Sequence, residues 1–402
     1  MQTTEVPFAF DGCELDADRL ELRRDGEAVA VEPQVFDVLV HLLRHRDRVV
    51  SKEELLDEVW GDRFVSESAL TSRIKAARRA IGDDGTSQRI IRTLHGRGYR
   101  FVADVEERAP SSKTALPTAN ARGQRVRLCT GPDGVRLAYA SVGTGPTLVK
   151  AANWLTHLDY DWESPVWRHW WAELSDRYHL VRYDERGCGL SDWDVEEFSL
   201  DAWVADLEAV VDAAGLDRFV LMGISQGGAV AITYAARHPE RVRGLILFGT
   251  FMQGRRIRAT TAQEQEEARV QIQLVRLGWG RDNAAFRRVF AMQFMPEGTK
   301  QQWEAFDELQ RRTTPPANAV RFIEAFGGID VSNIVGGVTA PSLVIHARGD
   351  IRIPLENGRR LAALLPNSRL VILDSANHLL LENEPAWPQF LAEVDAFISE
   401  LP

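Results

Sequence analysis

Three residues have the types and the order needed for nucleophilic acyl transfer. Ser225 stands in Gly223-Ile224-Ser225-Gln226-Gly227-Gly228, Asp350 in His346-Ala347-Arg348-Gly349-Asp350, and His378 in Asp374-Ser375-Ala376-Asn377-His378. A serine hydroxyl is a weak nucleophile until an imidazole takes its proton, and that imidazole needs a carboxylate to hold its tautomer. The glycines around Ser225 have a steric reason. A strand-to-helix turn sharp enough to push one side chain outward leaves no room for side chains beside it. The helix N-terminus that follows favours an anionic intermediate. The Gln226 backbone N–H is one candidate oxyanion donor, and Asn153 or Trp154 supplies the other. Trp154 and His157 are also candidate substrate contacts; His157 either lines the pocket or caps the segment before the next helix.

The elements around these residues alternate. Strand-like runs fall at 147–151, 179–183, 219–222, 244–248, 342–345 and 370–373. Helix-like runs fall at 166–177, 200–214, 227–237, 356–364 and 387–399. Such alternation is the pattern of a mostly parallel sheet wrapped by helices. Ser225, Asp350 and His378 each follow a strand, at the end of the sheet where open α/β folds place their sites. His346 is expected beneath the acid loop, Asp184 and Arg186 as loop braces, and Glu382 as the anchor of the His378 loop. Residues 251–335 turn helical and carry Trp279, Phe286, Phe290, Met292, Phe294, Met295, Trp303, Phe306, Phe322 and Phe326. Most of these belong to the segment's own core, and the rest suggest an apolar lid over a pocket.

The chain has 402 residues and a net charge of −10. Residues 106–124 read EERAPSSKTALPTANARGQ, a composition typical of a linker. They divide a first unit, 1–105, from a second, 125–402. Cys13, Cys129 and Cys188 are scattered and fit neither a disulfide framework nor a metal site. No run approaches the ~18 apolar residues of a membrane span. The first residues lack the basic-then-apolar pattern of an export signal, so the expected compartment is the cytoplasm. Neither a metal-ligand cluster nor a nucleotide loop is present, and hydrolysis needs no cofactor.

Charge is distributed unevenly in the first unit. Residues 1–62 hold 7 Lys+Arg against 16 Asp+Glu, whereas residues 63–100 hold 9 against 3. An acidic segment followed by a compact basic one fits a module with one face toward a phosphate backbone. Short strands around Asp25-Gly26 come first. A helix with Val35, Phe36, Val38, Leu39, Leu42 and Leu43 at helical spacing follows. Ser51 and Glu54 form a capping box for the next helix, and Ser66 or Ser68 caps a third over 69–81. Ile90 to Val102 then reads as a hairpin about His95-Gly96-Arg97-Gly98. A short sheet, three helices and a hairpin make a winged helix. On the third helix Thr71, Ser72, Arg73, Lys75, Arg78 and Arg79 are the candidate DNA contacts. On the wing they are Arg92, Thr93, Arg97 and Arg100. Tyr99 and Trp60 are expected in the core.

Two resemblances follow from these motifs. The segments 49–56 with Val59-Trp60, 72–81 and 91–101 resemble the OmpR/PhoB-type DNA-binding domain. That implies a third helix in the major groove and a wing on the backbone or minor groove. The Ser225, Asp350 and His378 segments, with Tyr183-Asp184-Glu185-Arg186-Gly187-Cys188-Gly189-Leu190-Ser191-Asp192, resemble the α/β-hydrolase fold, most closely its esterase and C–C hydrolase branches. Ser225 argues against the branches that place Asp at the elbow. The resemblance implies a doubly wound, mostly parallel sheet with a helical cap at about 251–335. Many members have His-Gly after the third strand, where this chain has Lys150-Ala151-Ala152-Asn153-Trp154. The expected whole is a DNA-binding regulator whose hydrolase domain binds or cleaves a small ester, lactone or related carbonyl compound. Paired half-sites would favour a homodimer. The alternative is a working hydrolase with an accessory winged helix.

Overall fold

The computed structural model describes residues 8–16, 21–24, 27–29, 31, 33–60, 67–94, 96–107, 123–279 and 284–402. The chain divides into two compact units, Met1–Thr114 and Ala115–Pro402. No described helix is long and apolar enough to cross a membrane.

In the first unit, β1 (Phe8–Phe10), β2 (Cys13–Asp16), β3 (Glu21–Arg24) and β4 (Glu27–Ala28) form an antiparallel sheet. Helices α1 (Pro33–Arg44), α2 (Lys52–Trp60) and α3 (Glu67–Ala80) follow, then the hairpin β5 (Ile91–Leu94) and β6 (Gly98–Phe101). The apolar stripe of α1 puts Val38, Leu39, Leu42 and Leu43 in the core, against Leu70, Ile74 and Ala77 of α3. Ser51 Oγ accepts the Glu54 N–H at 3.0 Å and so caps α2. The Ser66 cap lies outside the described residues, as does the Trp60 side chain; Tyr99 is in the core. Gly82 ends α3 with φ +71°. Asp83 then turns inward and accepts the N–H groups of Arg89, Ile90 and Ile91 at 2.9, 3.1 and 2.9 Å. Burial raises its pKa, but these three donors hold it below the ordinary value. Gly98 is required by contact, since a Cβ there would lie 2.0 Å from the Val50 carbonyl.

The sheet also takes in β7 (Glu106–Glu107), which pairs with β1. These two residues fall inside the stretch read as linker, so the first unit runs past 105. Composition could not reveal this, because the pairing uses backbone groups.

The second unit opens on β8 (Arg125–Thr130) and β9 (Arg136–Val142), an antiparallel hairpin that the sequence reading missed. Then come β10 (Thr147–Lys150), α4 (Arg168–Arg177), β11 (His179–Tyr183), α5 (Leu200–Ala213), β12 (Phe219–Ile224), α6 (Gly227–Arg237) and β13 (Val242–Phe248). Five helices follow: α7 (Arg255–Arg258), α8 (Ala262–Gly278), α9 (Ala284–Phe294), α10 (Lys300–Thr313) and α11 (Pro316–Gly327). The unit closes with β14 (Ser342–Ala347), α12 (Leu355–Leu364), β15 (Ser368–Leu373) and α13 (Ala386–Glu400). The eight-stranded sheet has the order β15-β14-β13-β12-β10-β11-β9-β8. It is parallel from β15 through β11 and antiparallel at β9 and β8. Strands β12 and β14 are buried along their whole length and β13 at all but Arg243, as expected of strands covered on both faces. The winding direction reverses between β10 and β12, the position where such sheets open a crevice at their C-terminal ends.

Candidate active site and DNA-facing surface

Ser225 sits between β12 and α6 with φ +53°, a left-handed conformation that costs a non-glycine residue of order 1–3 kcal/mol. Its surroundings leave no other path. A Cβ on Gly223 would lie 2.6 Å from the Gly228 Cα, one on Gly227 2.6 Å from the Ala152 carbonyl, and one on Gly228 2.0 Å from Thr250 Oγ1. The Thr250 hydroxyl donates to the Ser225 carbonyl, and the Ser225 N–H donates to the Phe248 carbonyl at 2.9 Å.

His378 Nδ1 lies 2.7 Å from Asp350 Oδ2, both residues buried. Asp350 Oδ1 accepts the N–H groups of Arg352 and Ile353 at 2.8 and 2.9 Å, which fixes the carboxylate. Burial pushes its pKa up, but the adjacent His378 and these donors bring it below the ordinary value. His378 Nε2 is buried without a hydrogen-bond partner among the described residues. The His378 backbone N–H donates to the Phe294 carbonyl at 2.8 Å, so the end of α9 helps hold the histidine. Gly249 faces the same ring, where a Cβ would lie 3.2 Å from His378 Cε1.

Ser225, Gln226 and Trp154 line a cleft of about 710 Å³, open solvent included, with Phe251, Phe294 and Phe326 among its walls. Gln226 is the N-cap of α6, so its N–H belongs to the donors that the helix leaves unused. The Trp154 N–H is occupied by Gln226 Oε1 at 3.3 Å, and Gln226 Nε2 donates to Glu185 Oε1 at 2.6 Å. Burial pushes Glu185 up to about 8. The Trp154 ring stacks on Trp279 with centroids 5.3 Å apart and meets Phe290 and Phe326 edge-on. The strand end and the helical segment thus share one aromatic cluster.

Several expected roles are corrected. Asn153 does not line the cleft; its Nδ2 donates to the Trp154 carbonyl at 2.8 Å. His157 does not line it either and takes the second of its two expected roles. Its Nδ1 accepts the N–H groups of Asp159 and Tyr160 at 3.3 and 3.2 Å, capping the short 3-10 turn Tyr160–Trp162. Glu382 pairs with Arg168 at 3.2 Å. The carboxylate that holds the His378 loop is Glu384, which accepts from Leu381 N and Asn377 Nδ2. As expected, His346 lies under the acid loop, 2.8 Å from the Ile353 carbonyl. Asp184 accepts from the backbone of Leu158 and Leu190, and Arg186 is bound by Asp206 and Asp133. The cleft walls are mostly apolar, but cations stand among them. Arg255, Arg256, Arg258 and Arg352 line it too. The run Arg255-Arg256-Ile257-Arg258 was visible in the sequence, but nothing local indicated which way it faces.

On the first unit, Thr71, Ser72, Lys75 and Arg79 are exposed along α3, and Arg73 is half-buried. Arg92, Arg97 and Arg100 are exposed on the hairpin. Arg78 is not on this surface. It is buried, and its guanidinium donates to the Ile91 carbonyl at 2.7 and 3.1 Å and to Thr93 Oγ1 at 2.9 Å. Thr93 is therefore half-buried with its hydroxyl already engaged. These two residues fasten α3 to the wing rather than extending the basic face.

The α/β-hydrolase fold family model matches residues 156–385, more than half of the chain. The chain belongs to the α/β-hydrolase fold family. Residues 26–101 match the C-terminal domain of transcriptional regulatory proteins. Over 110 residues this hydrolase-family chain is 43% identical to the transcriptional regulator HilA of Salmonella typhi, covering 27% of this chain and 20% of that protein. The chain thus spans about a fifth of that regulator's length. It is 28% identical to a putative carbamate hydrolase, RutD, of Agrobacterium fabrum, over 55% of this chain and 84% of the relative. An esterase from a Rhodococcus species superposes with a TM-score of 0.57 at 26% identity, covering 69% of this chain and 99% of the esterase. A regulator-type domain is therefore fused to a hydrolase-fold domain within one chain.

Proposed function

We propose that this chain is a DNA-binding regulator whose second domain is a serine hydrolase acting on a small acyl compound. The observation that carries the reading is the buried His378–Asp350 pair at 2.7 Å beside a cleft that holds Ser225 in a left-handed turn. In this reading the Ser225 Oγ attacks the substrate carbonyl carbon while its proton passes to His378 Nε2. Asp350 stays ionised and holds the imidazole. The oxyanion is met by the Gln226 N–H and by the Trp154 N–H, which must first leave Gln226 Oε1. His378 returns the proton to the leaving group, and water repeats the sequence to free Ser225. The basic face of α3 and the hairpin supports DNA binding, with Lys75, Arg79, Arg92, Arg97 and Arg100 neutralising phosphates.

The occupied Trp154 N–H favours a second reading, in which the cleft binds its ligand but turns it over slowly. The test is hydrolysis of 4-nitrophenyl butyrate by the wild type and Ser225→Ala, with operator binding measured in the presence and absence of ester. Activity lost in the variant supports a serine hydrolase. Inactivity of both proteins favours the receptor reading. Operator affinity that is identical under every condition sinks the regulatory link.

A further inference from the structure

The wall of the Ser225 cleft carries more positive charge than acyl transfer needs. The short helix α7 brings Arg255, Arg256 and Arg258 to the cleft, and Arg352, two residues past Asp350, joins them. Some of this charge is answered within the fold. Arg255 pairs with Glu267 at 3.3 Å. Glu324, the carboxylate on the same wall, pairs with Arg276 at 3.2 Å.

The remaining guanidiniums are held differently. Arg258 Nη1 donates to Asn357 Oδ1 at 3.0 Å, and its Cζ lies 5.6 Å from the Phe251 ring centre. Arg352 Nη1 donates to Gln271 Oε1 and Gln293 Oε1 at 3.2 and 3.1 Å, with its Cζ 5.3 and 5.0 Å from the rings of Phe290 and Phe294. Among the described residues, no carboxylate forms an ion pair with Arg256, Arg258 or Arg352. Burial, then the neighbouring arginines, lower Arg258 and Arg352 to about 10 against the pull of the more distant Asp350 carboxylate, so both remain cations at neutral pH.

Neutral amides and aromatic faces orient a guanidinium without cancelling its charge. Like charges gathered in a partly desolvated site repel one another, and an anion entering that site relieves the repulsion. A planar guanidinium fork binds a carboxylate at two points.

Resting on the hydrolase reading above, we infer that the ligand is a carboxylate-bearing acyl compound, whose anionic end is taken by Arg258 and Arg352 while its reacting carbonyl faces Ser225. Arg256, the exposed member, attracts the anion at the mouth. The chemistry at Ser225 is unchanged, and the arginines select and orient the substrate.

The test compares two esters of similar length on the full chain: mono-4-nitrophenyl glutarate and the uncharged 4-nitrophenyl butyrate. The wild type is expected to favour the anionic ester by about tenfold or more in kcat/KM, since one charge-assisted pair is worth at least that factor. In Arg258→Gln, and separately in Arg352→Gln, the ratio should fall to near one. Arg256→Gln, an exposed change that leaves packing intact, should lower it less. Glutarate itself should bind the wild type in calorimetry and lose affinity in Arg258→Gln. Wild-type preference for the neutral ester, or an anionic preference surviving in both Arg258→Gln and Arg352→Gln, overturns the inference while leaving hydrolysis standing. Glutarate binding that depends on Arg258, with neither ester cleaved, keeps the anion site and overturns the hydrolase reading instead.

Discussion

The Phe294 carbonyl accepts the His378 backbone N–H at 2.8 Å, and the two rings meet edge-on at 5.4 Å. The candidate base is thus held from one side by Asp350 and from the other by the end of α9. Phe294→Ala is expected to lower kcat by about tenfold or more and also to raise KM, because the ring both meets His378 and walls the cleft. Steady-state kinetics with 4-nitrophenyl butyrate checks both constants.

Asp350→Asn keeps the size of the side chain but not the charge that selects the His378 tautomer. Its kcat should fall by about 10³–10⁴ while the fold is retained. Kinetics paired with circular dichroism distinguishes this from collapse of the loop.

Gly228→Ala would place a methyl group 2.0 Å from Thr250 Oγ1, the hydroxyl that donates to the Ser225 carbonyl. A loss of about 1–3 kcal/mol in unfolding free energy is expected from the overpacking, together with a loss of activity. A urea denaturation midpoint close to wild type would contradict this account of the elbow.

Arg78 and Arg79 are adjacent, yet their variants should behave differently. Arg78→Ala removes buried charged hydrogen bonds to Ile91 and Thr93, and should destabilise the first unit by about 2 kcal/mol. Arg79→Ala should leave stability nearly unchanged and reduce the salt dependence of DNA binding by about one phosphate contact. Thermal melts and salt-dependent gel shifts report the two effects separately.

His169 is buried, with Nε2 donating to the Leu380 carbonyl at 3.0 Å, and burial lowers its pKa to about 4. The unfolded chain takes up that proton near the ordinary value of 6.5, so the contribution is complete above about pH 6.5 and is lost as pH falls toward 4. Between pH 7 and pH 5 the wild type should lose about 2 kcal/mol from this group alone. His169→Gln should show a smaller loss over the same interval in urea titrations.

Much of this molecule was readable from short stretches of chain. The elbow around Ser225, the strand-borne loops of Asp350 and His378, and the helices of both units rest on residues a few positions apart. Their spacing reflects the 3.6-residue and two-residue periods of the backbone. The order of the three polar residues followed from the same local patterns. Partners between distant segments were not readable in this way. Arg78 is buried and Arg79 exposed because β5 passes over one face of α3, and no local pattern marks that face. Glu384 holds the His378 loop where Glu382 was expected, because loop geometry selects which of two nearby side chains points inward. The edge strand β8 was not legible because it exposes one face and so lacks the continuous apolar run of a central strand. The charge of the cleft was decided wholly by tertiary structure. Arg352 meets Gln271 only because the chain from α8 and the chain after β14 converge on one wall, and the alignment of guanidiniums there depends on packing between segments some eighty residues apart.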